Sequence, residues 1–475
     1  MYKFLRSNIN IIVSLLIILS ACLALLVSSR SEVRASNANI TLSVISGPPS
    51  LSLNISGTGF GSSEMVTLYF DKIIIGYTGT GTDGSFLKQS FVPKTALPGS
   101  HTFKAIGRVS GLLAQATFLV QTNWSTFGFN QQHTHYNPYE NVLNSSNVSR
   151  LVLDWSYTTG NIIDTSPAVV GGVVYIGSRD KNLYAINAST GKVIWQYTLG
   201  DTIIASSPAI ANGIAYIGAN DGKLYALNTT TGTLLWSYTT GSYINSSPTV
   251  ANGIVYVGSS NDKLYALNAI SGTLLWSYTT GSYINSSPAV ANGIVYIGSD
   301  KLYAFRANTG TLLWSIATGT AVGSSPTVAE GVVYVGSWDN NGKLYAINAQ
   351  TGSVLWSYTT NGPIYSSPAV ANGIVYVGSY DQKLYAINTA NGTLLWSYLF
   401  GSSIVSSPTV ANGVVYIGST WDENLYAFNA TIGTLLWSYN LGYLIHSSPA
   451  VVNGVVYIGS ENNILYAFHL PGSIP

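Results

Sequence analysis

The sequence predicts an all-β chain whose larger part is an eight-bladed β-propeller of four-stranded blades. Three observations carry that reading. A unit of about 40 residues, SSPAVANGIVYIGS followed by DxKLYALNAxTGTLLWSYTTG, recurs from about Leu151 to Phe468. Its proline column is Pro167, Pro208, Pro248, Pro288, Pro326, Pro368, Pro408 and Pro449, and its tryptophan column is Trp155, Trp195, Trp236, Trp276, Trp314, Trp356, Trp396 and Trp437. The first tryptophan precedes the first proline and none follows the last, so the unit is divided between the ends of the array, as closure of a ring requires.

The chain opens on an export segment, residues 1–35. Lys3 and Arg6 precede an apolar run from Ile9 to about Val27, long enough either to be cleaved as a signal peptide or to stay as a membrane anchor. Val33-Arg34-Ala35 is a candidate cleavage site. Leu19-Ser20-Ala21-Cys22 resembles a bacterial lipobox, which makes Cys22 a lipidation candidate, although the apolar run continues past it. All three fates place the protein outside the cytoplasm, secreted or held at the cell surface, with the membrane touched only through this segment. Cys22 is the sole cysteine, so no disulfide forms within the chain.

Residues 39–121 lack the repeat. Seven short β runs (Ile40–Ile45, Leu51–Ser56, Val66–Asp71, Ile73–Tyr77, Phe86–Val92, His101–Ile106 and Ala114–Val120), broken by Gly, Pro and Ser turns, predict a small β-sandwich. The stretch Ser56–Asp71, SGTGFGSSEMVTLYFD, resembles the Ig-like modules of bacterial surface proteins, which implies a spacer or adhesion role. Residues 122–150 form a polar lead-in with no clear periodicity, expected to lie on the ring.

Residues 151–475 make the propeller. In the third copy, Ser247–Ala251 reads as inner strand A, and Asn252-Gly253 suits a two-residue type I′ turn because both positions tolerate positive φ. Ile254–Gly258, Lys263–Asn268 and Thr273–Thr279 follow as strands B, C and D. Strands B and C are nearly unbroken apolar runs, which calls for burial on both faces, as stacked blades provide. Leu151–Thr159 is an orphan strand D for the last copy, which supplies only A, B and C.

Composition narrows the partners. Of 475 residues 47% are apolar and only 8% charged, for a net charge of +1. Nineteen Lys and Arg dispersed over this length make no basic face, so nucleic acid is excluded as a partner, and the chain reads as a monomer.

Ala226-x-Asn228-x-x-Thr231-Gly232-x-x-x-Trp236 resembles the tryptophan-docking motif of the PQQ-like (pyrroloquinoline quinone, quinoprotein-type) eight-bladed propellers, which carry Asp where Asn228 stands. The match recurs seven times between Ala185 and Trp437, and the resemblance implies that each tryptophan docks on the next blade. That family holds quinoprotein dehydrogenases, with PQQ and Ca²⁺ over the ring axis, and also non-enzymatic members such as an outer-membrane assembly lipoprotein. Fold alone does not choose between them. The dehydrogenase resemblance implies carboxylate and amide ligands for calcium, an aspartate base and often a vicinal cysteine pair; this chain cannot form that pair and has no CxxCH haem site.

Acidic side chains are few in the repeats. Asp180, Asp221, Asp262, Asp300, Asp339, Asp381, Asp422 and Glu461 all read as B–C turn residues, stabilising the turn through its backbone. Asp164 alone stands at the start of a strand A, facing the channel. His133-Thr134-His135 offers two imidazoles with no identifiable third ligand, and the tryptophan column reads as core.

Where the copies disagree, a site is expected. The residue before Ser/Thr-Ser-Pro runs Asp164, Ala205, Asn245, Asn285, Gly323, Tyr365, Val405, His446, and the B–C turn brings in Arg179, Trp338, Tyr380 and Trp421. These two loops share one face of a blade, so they predict a variable rim suited to a sugar, peptide or protein ligand. Unselected loop drift would produce the same variation. The reading is therefore a non-catalytic binding or scaffold protein with no catalytic residue, no metal and no cofactor. The alternatives are a PQQ/Ca²⁺ alcohol or sugar dehydrogenase, needing a cluster at Asp164, Asn245 and Asn285, and a membrane-protein assembly factor with a lipidated Cys22.

Overall fold

A computed structural model describes residues 38–472, in two compact units: residues up to Lys94 with Gly99–Val120, and Thr95–Pro98 with residues from Gln121 on. The export segment, with Cys22, lies outside the described residues. No helix among the described residues is long and apolar enough to cross a membrane.

The first unit holds two sheets. Strands β1 (Asn39–Leu42), β3 (Ser52–Thr58) and β6 (Phe86–Phe91) form one, and β2 (Ser46–Gly47), β8 (Leu113–Val120), β7 (Gly99–Gly107), β4 (Met65–Phe70) and β5 (Ile73–Gly79) form the other. Alternation along β3 and β8 sends Leu53, Ile55 and Phe118 inward with Val66, Leu68, Phe70 and Phe103, and the last two rings meet edge to face at 5.0 Å.

In the second unit each repeat folds into its own antiparallel sheet, and the chain is an all-β propeller. The third repeat runs Thr249–Ala251, Ile254–Gly258, Lys263–Asn268 and Leu274–Thr279. Asn252 and Gly253 take φ of 50° and 76°, the left-handed pair that joins A to B. Strands B and C are buried almost throughout, whereas D alternates and forms the half-exposed outer edge. The last repeat is completed by the start of the array: Val152–Thr158 pairs antiparallel with Ile464–His469, with Trp155 opposite Ala467.

Strand A begins two residues later than the sequence suggests, because the serine before each proline is engaged elsewhere. The backbone N–H of Ser247 donates to Ser287 Oγ of the following repeat at 2.9 Å. The same bond runs from Ser166 to Ser207, Ser207 to Ser247, Ser287 to Ser325, Ser325 to Ser367, Ser367 to Ser407 and Ser407 to Ser448, and Ser448 N–H returns to Ser166 Oγ at 2.9 Å. The Ser-Ser-Pro step is thus a closed hydrogen-bonded circuit around the axis.

At the outer edge the tryptophans link neighbouring repeats. Trp236 Nε1 donates to Ala269 O at 3.1 Å and Trp276 Nε1 to Ala307 O at 2.9 Å, each across to the following repeat. The last, Trp437, donates to Leu151 O at 3.2 Å. Every indole but that of Trp437 lies over the glycine of the next C–D turn; a Cβ on Gly232 would sit 2.7 Å from the Trp195 ring. The expectation that this column is core needs correcting: strand D is outermost, so all eight tryptophans are half-buried.

The lead-in lies against the ring in two stretches: residues 124–137 thread along the inner edges of the A strands, and Val148–Arg150 packs on the outer strand Leu435–Asn440. Trp124 exchanges two backbone bonds with Val169 at 2.7 Å, and carbonyls of Ser125, Gln131, Gln132, Thr134 and His135 accept from Ile210, Val290, Val328, Val370 and Val410. The physical reason is that strand A presents an unpaired edge to the axis, which a polar segment without a rhythm of its own can satisfy residue by residue. His133 and His135 are fully buried there, and burial pushes both imidazoles down to about 3. His133 Nε2 lies 2.9 Å from Thr249 Oγ1, and neither ring has carboxylate or cysteine neighbours that would complete a metal site among the described residues.

Candidate functional site

The residues that open the eight A strands converge on one axial cavity of about 380 Å³. The serine circuit forms its waist. Phe127 of the lead-in closes its floor, stacked edge-on against His133 at 5.5 Å and His135 at 4.9 Å. The floor is therefore aromatic, while the wall above carries the residues in which the repeats differ.

Every residue of the variable column before Ser/Thr-Ser-Pro lines this cavity, Asp164, Asn245, Asn285, Tyr365 and His446 among them, as do Arg179 and Trp338 from the B–C turns. Tyr380 does not reach the cavity but backs Tyr365 at 4.8 Å, and Trp338 packs on the other side of Tyr365 at 5.5 Å. Trp421, 66% exposed, stands apart from the group. The wall is thus divided into an aromatic arc, an amide pair and a charged arc. Asn245 Nδ2 points to Asn285 Oδ1 at 3.4 Å, and Asn245 Oδ1 is buried without a partner.

The charged arc is built where the first and last repeats adjoin. Arg179 Nε donates to Asp164 Oδ2 at 2.6 Å. His446 Nδ1 lies 2.8 Å from Glu461 Oε1 and 3.6 Å from Asp164 Oδ1. Burial works against a charged His446, but the contact with Asp164 and the two carboxylates outweigh it and hold the imidazole above its usual range. Glu461 is raised, first by burial and then by the nearby Asp164.

Glu461 corrects the sequence reading. Most of the turn carboxylates fix the tyrosine of strand C: Tyr184 Oη donates to Asp180 at 2.6 Å and Tyr426 to Asp422 at 2.8 Å, whereas in the third repeat Asn261, not Asp262, bonds to Tyr265 Oη at 2.7 Å. In the last repeat that role belongs to Asn462, which donates to Tyr466 Oη at 2.7 Å. Glu461 stands one position earlier, the place of Arg179, and turns to the axis. Aligning the copies on the Gly-Ser step, Gly177-Ser178-Arg179 with Gly459-Ser460-Glu461, rather than on the acidic residue would have found it.

A family model described as outer membrane protein assembly factor BamB, of the PQQ-repeat type, matches residues 144–284, 240–301, 283–367 and 359–472. The chain belongs to that family. Among solved structures, BamB from Moraxella catarrhalis is similar to this PQQ-repeat chain at 21% identity with a TM-score of 0.59, over 68% of this chain and 98% of that one. A europium-containing methanol dehydrogenase gives 16% identity and a TM-score of 0.65, over 74% and 98%. At these identities the likeness is one of fold. The quinohemoprotein alcohol dehydrogenase of Comamonas testosteroni is 30% identical over 102 residues, 21% of this chain and 14% of the dehydrogenase, so the match spans a small part of that relative's length.

Proposed function

We propose that this PQQ-repeat protein is an exported, non-catalytic binding or scaffold protein: an eight-bladed ring behind an Ig-like spacer, presenting its axial cavity and rim to a polar ligand or protein segment outside the cytoplasm. The observation that carries it is the composition of the cavity wall. Trp338, Tyr283 and Tyr365 offer flat faces and Asn245 and Asn285 offer amides, the mixture that holds a sugar or a peptide end.

The charged groups speak against a PQQ/Ca²⁺ centre. PQQ is a tricarboxylate, yet the permanent cation in the wall, Arg179, is already bound to Asp164. Asn245 is tied to Asn285 through Nδ2 and Asp164 to Arg179 through Oδ2, so each offers only one oxygen, Asn245 Oδ1 and Asp164 Oδ1, to a calcium ion that takes about six to eight. The stretch similar to the alcohol dehydrogenase keeps that second reading open to test. The family description favours the assembly-factor reading, in which the rim binds a membrane-protein client and Cys22 carries a lipid.

The deciding experiment titrates a panel of neutral oligosaccharides and peptides into the full chain, beside PQQ with Ca²⁺, and follows heat and dye-linked oxidation of alcohols and aldoses. Saturable sugar or peptide binding that Trp338→Ala with Tyr365→Ala removes supports the binding reading. Saturable PQQ uptake with turnover overturns it. Palmitate label that enters wild type but not Cys22→Ala would favour the assembly-factor form.

A further inference from the structure

Asp164, His446 and Glu461 come from three separate loops of the two repeats that adjoin at the closure. Among the described residues they are the one group of three or more His, Cys, Asp or Glu side chains whose donor atoms all lie within 4.8 Å of one another. Three loops thus deliver donors to one point of the cavity wall.

A second observation points to a missing partner. The Asp164 side chain is only 6% exposed, and while Oδ2 is held by Arg179, Oδ1 is buried with no hydrogen-bond partner. That bare oxygen faces the cluster, 3.6 Å from His446 Nδ1. A buried carboxylate oxygen left unsatisfied is costly, and its natural complement is a cation.

The spacing fits a small ion. Donors about 2.1 Å from a tetrahedral centre lie about 3.4 Å from each other. The separations of 2.8 Å from His446 Nδ1 to Glu461 Oε1 and 3.6 Å to Asp164 Oδ1 bracket that value, so small side-chain shifts would complete the site. Arg179, clamped on Oδ2, orients the carboxylate as a supporting residue does in metal centres. Two carboxylates against one guanidinium leave the group anionic while the imidazole is neutral.

We propose that Asp164 Oδ1, His446 Nδ1 and Glu461 Oε1 bind a divalent first-row transition ion in the wall of the axial cavity, with its remaining coordination positions open to the cavity. An imidazole with two carboxylates suits Zn²⁺, Co²⁺, Ni²⁺ or Mn²⁺. Ca²⁺ and Mg²⁺ prefer oxygen alone, and no thiolate is present to select Cu(I). Where no ion is bound, a proton on Nδ1 bridges to Glu461; on binding, that proton leaves to solvent as the ion takes its place. The open positions would let the ion reach a ligand lying against Trp338 and Tyr365.

The test titrates Zn²⁺, and separately Co²⁺, into the full chain by calorimetry and by the visible spectrum of bound Co²⁺. One saturable event is expected, weakened by more than about tenfold in His446→Ala and in Glu461→Gln. Thermal unfolding of each variant is followed in parallel; Glu461→Gln keeps shape and volume, so it decides the matter if His446→Ala fails to fold. No saturable binding, binding that survives both variants, or Ca²⁺ taken up in preference to Zn²⁺ would overturn the assignment. Because the sugar and peptide titration is read through Trp338 and Tyr365, either result can fail without the other.

Discussion

Arg179 Nε sits 2.6 Å from Asp164 Oδ2, joining a B–C turn to the start of the adjacent strand A inside a single repeat. Asp164 is nearly buried and Arg179 about one-third exposed, so the pair is screened on one side only. Arg179→Ala should lower stability by about 2 kcal/mol, since it strands a buried carboxylate, and Arg179→Lys should recover only part because a fork is replaced by a point charge. Urea unfolding of the three proteins checks this; equal midpoints would mean that the bond contributes nothing.

The serine circuit predicts a second effect. Ser287→Ala removes the acceptor for the buried Ser247 N–H and should cost about 1–3 kcal/mol. Ser315→Ala, on the exposed outer strand, is the control and should stay within about 0.5 kcal/mol of wild type. Thermal unfolding compares the two directly.

For the outer column, Trp276→Phe keeps a ring over Gly310 but loses the bond to Ala307 O. The cost should be about 1 kcal/mol, well below the roughly 3–5 kcal/mol of truncating a fully buried aromatic. A loss in the upper range would return the indole to the core.

Removing Val152–Thr158 takes away the strand that covers Ile464–His469. The exposed edge should abolish one cooperative transition and promote association. Size-exclusion chromatography and calorimetry read the outcome; a monomer with a near-normal transition would show that closure is dispensable.

His133 and His135 give the protein a sensitivity to acid. Their folded values of about 3 lie below the unfolded value near 6.5, so between these limits the unfolded chain binds more protons. Stability present above the unfolded value is lost as pH falls through the window, by up to roughly 1.4 kcal/mol per pH unit for each histidine. His135→Asn, which suits the φ of 50° at that position, should halve the histidine share of the slope of stability against pH. An unchanged slope would assign the acid sensitivity elsewhere.

Much of the candidate site was legible in sequence because structure demands sameness from a repeat and variation marks where that demand ends. Asp164, Asn245, Asn285, Tyr365 and His446 form one column of disagreement, and the cavity gathers all five. Trp421 shows the limit: it stands one position further from the Gly-Ser step than Trp338 does, with Thr420 in the equivalent place, so variation there leads to solvent rather than to the axis. Glu461 was hidden because an acidic residue beside Asn462 imitates the turn aspartates of the other copies.

The sequence by itself determined what depends on short-range pattern: four strands per repeat, the Asn-Gly turns, the burial of strands B and C, and the split of the last sheet between the two ends of the array. Those follow from side-chain period and turn chemistry, which act over a few residues. Only the tertiary structure decided that residues 124–137 line the axis, that the serines close a circuit and that Asp164 meets His446 and Glu461. These contacts join positions up to 314 residues apart, brought together by ring closure, and no local periodicity encodes a partner whose place is set by how far the whole ring turns.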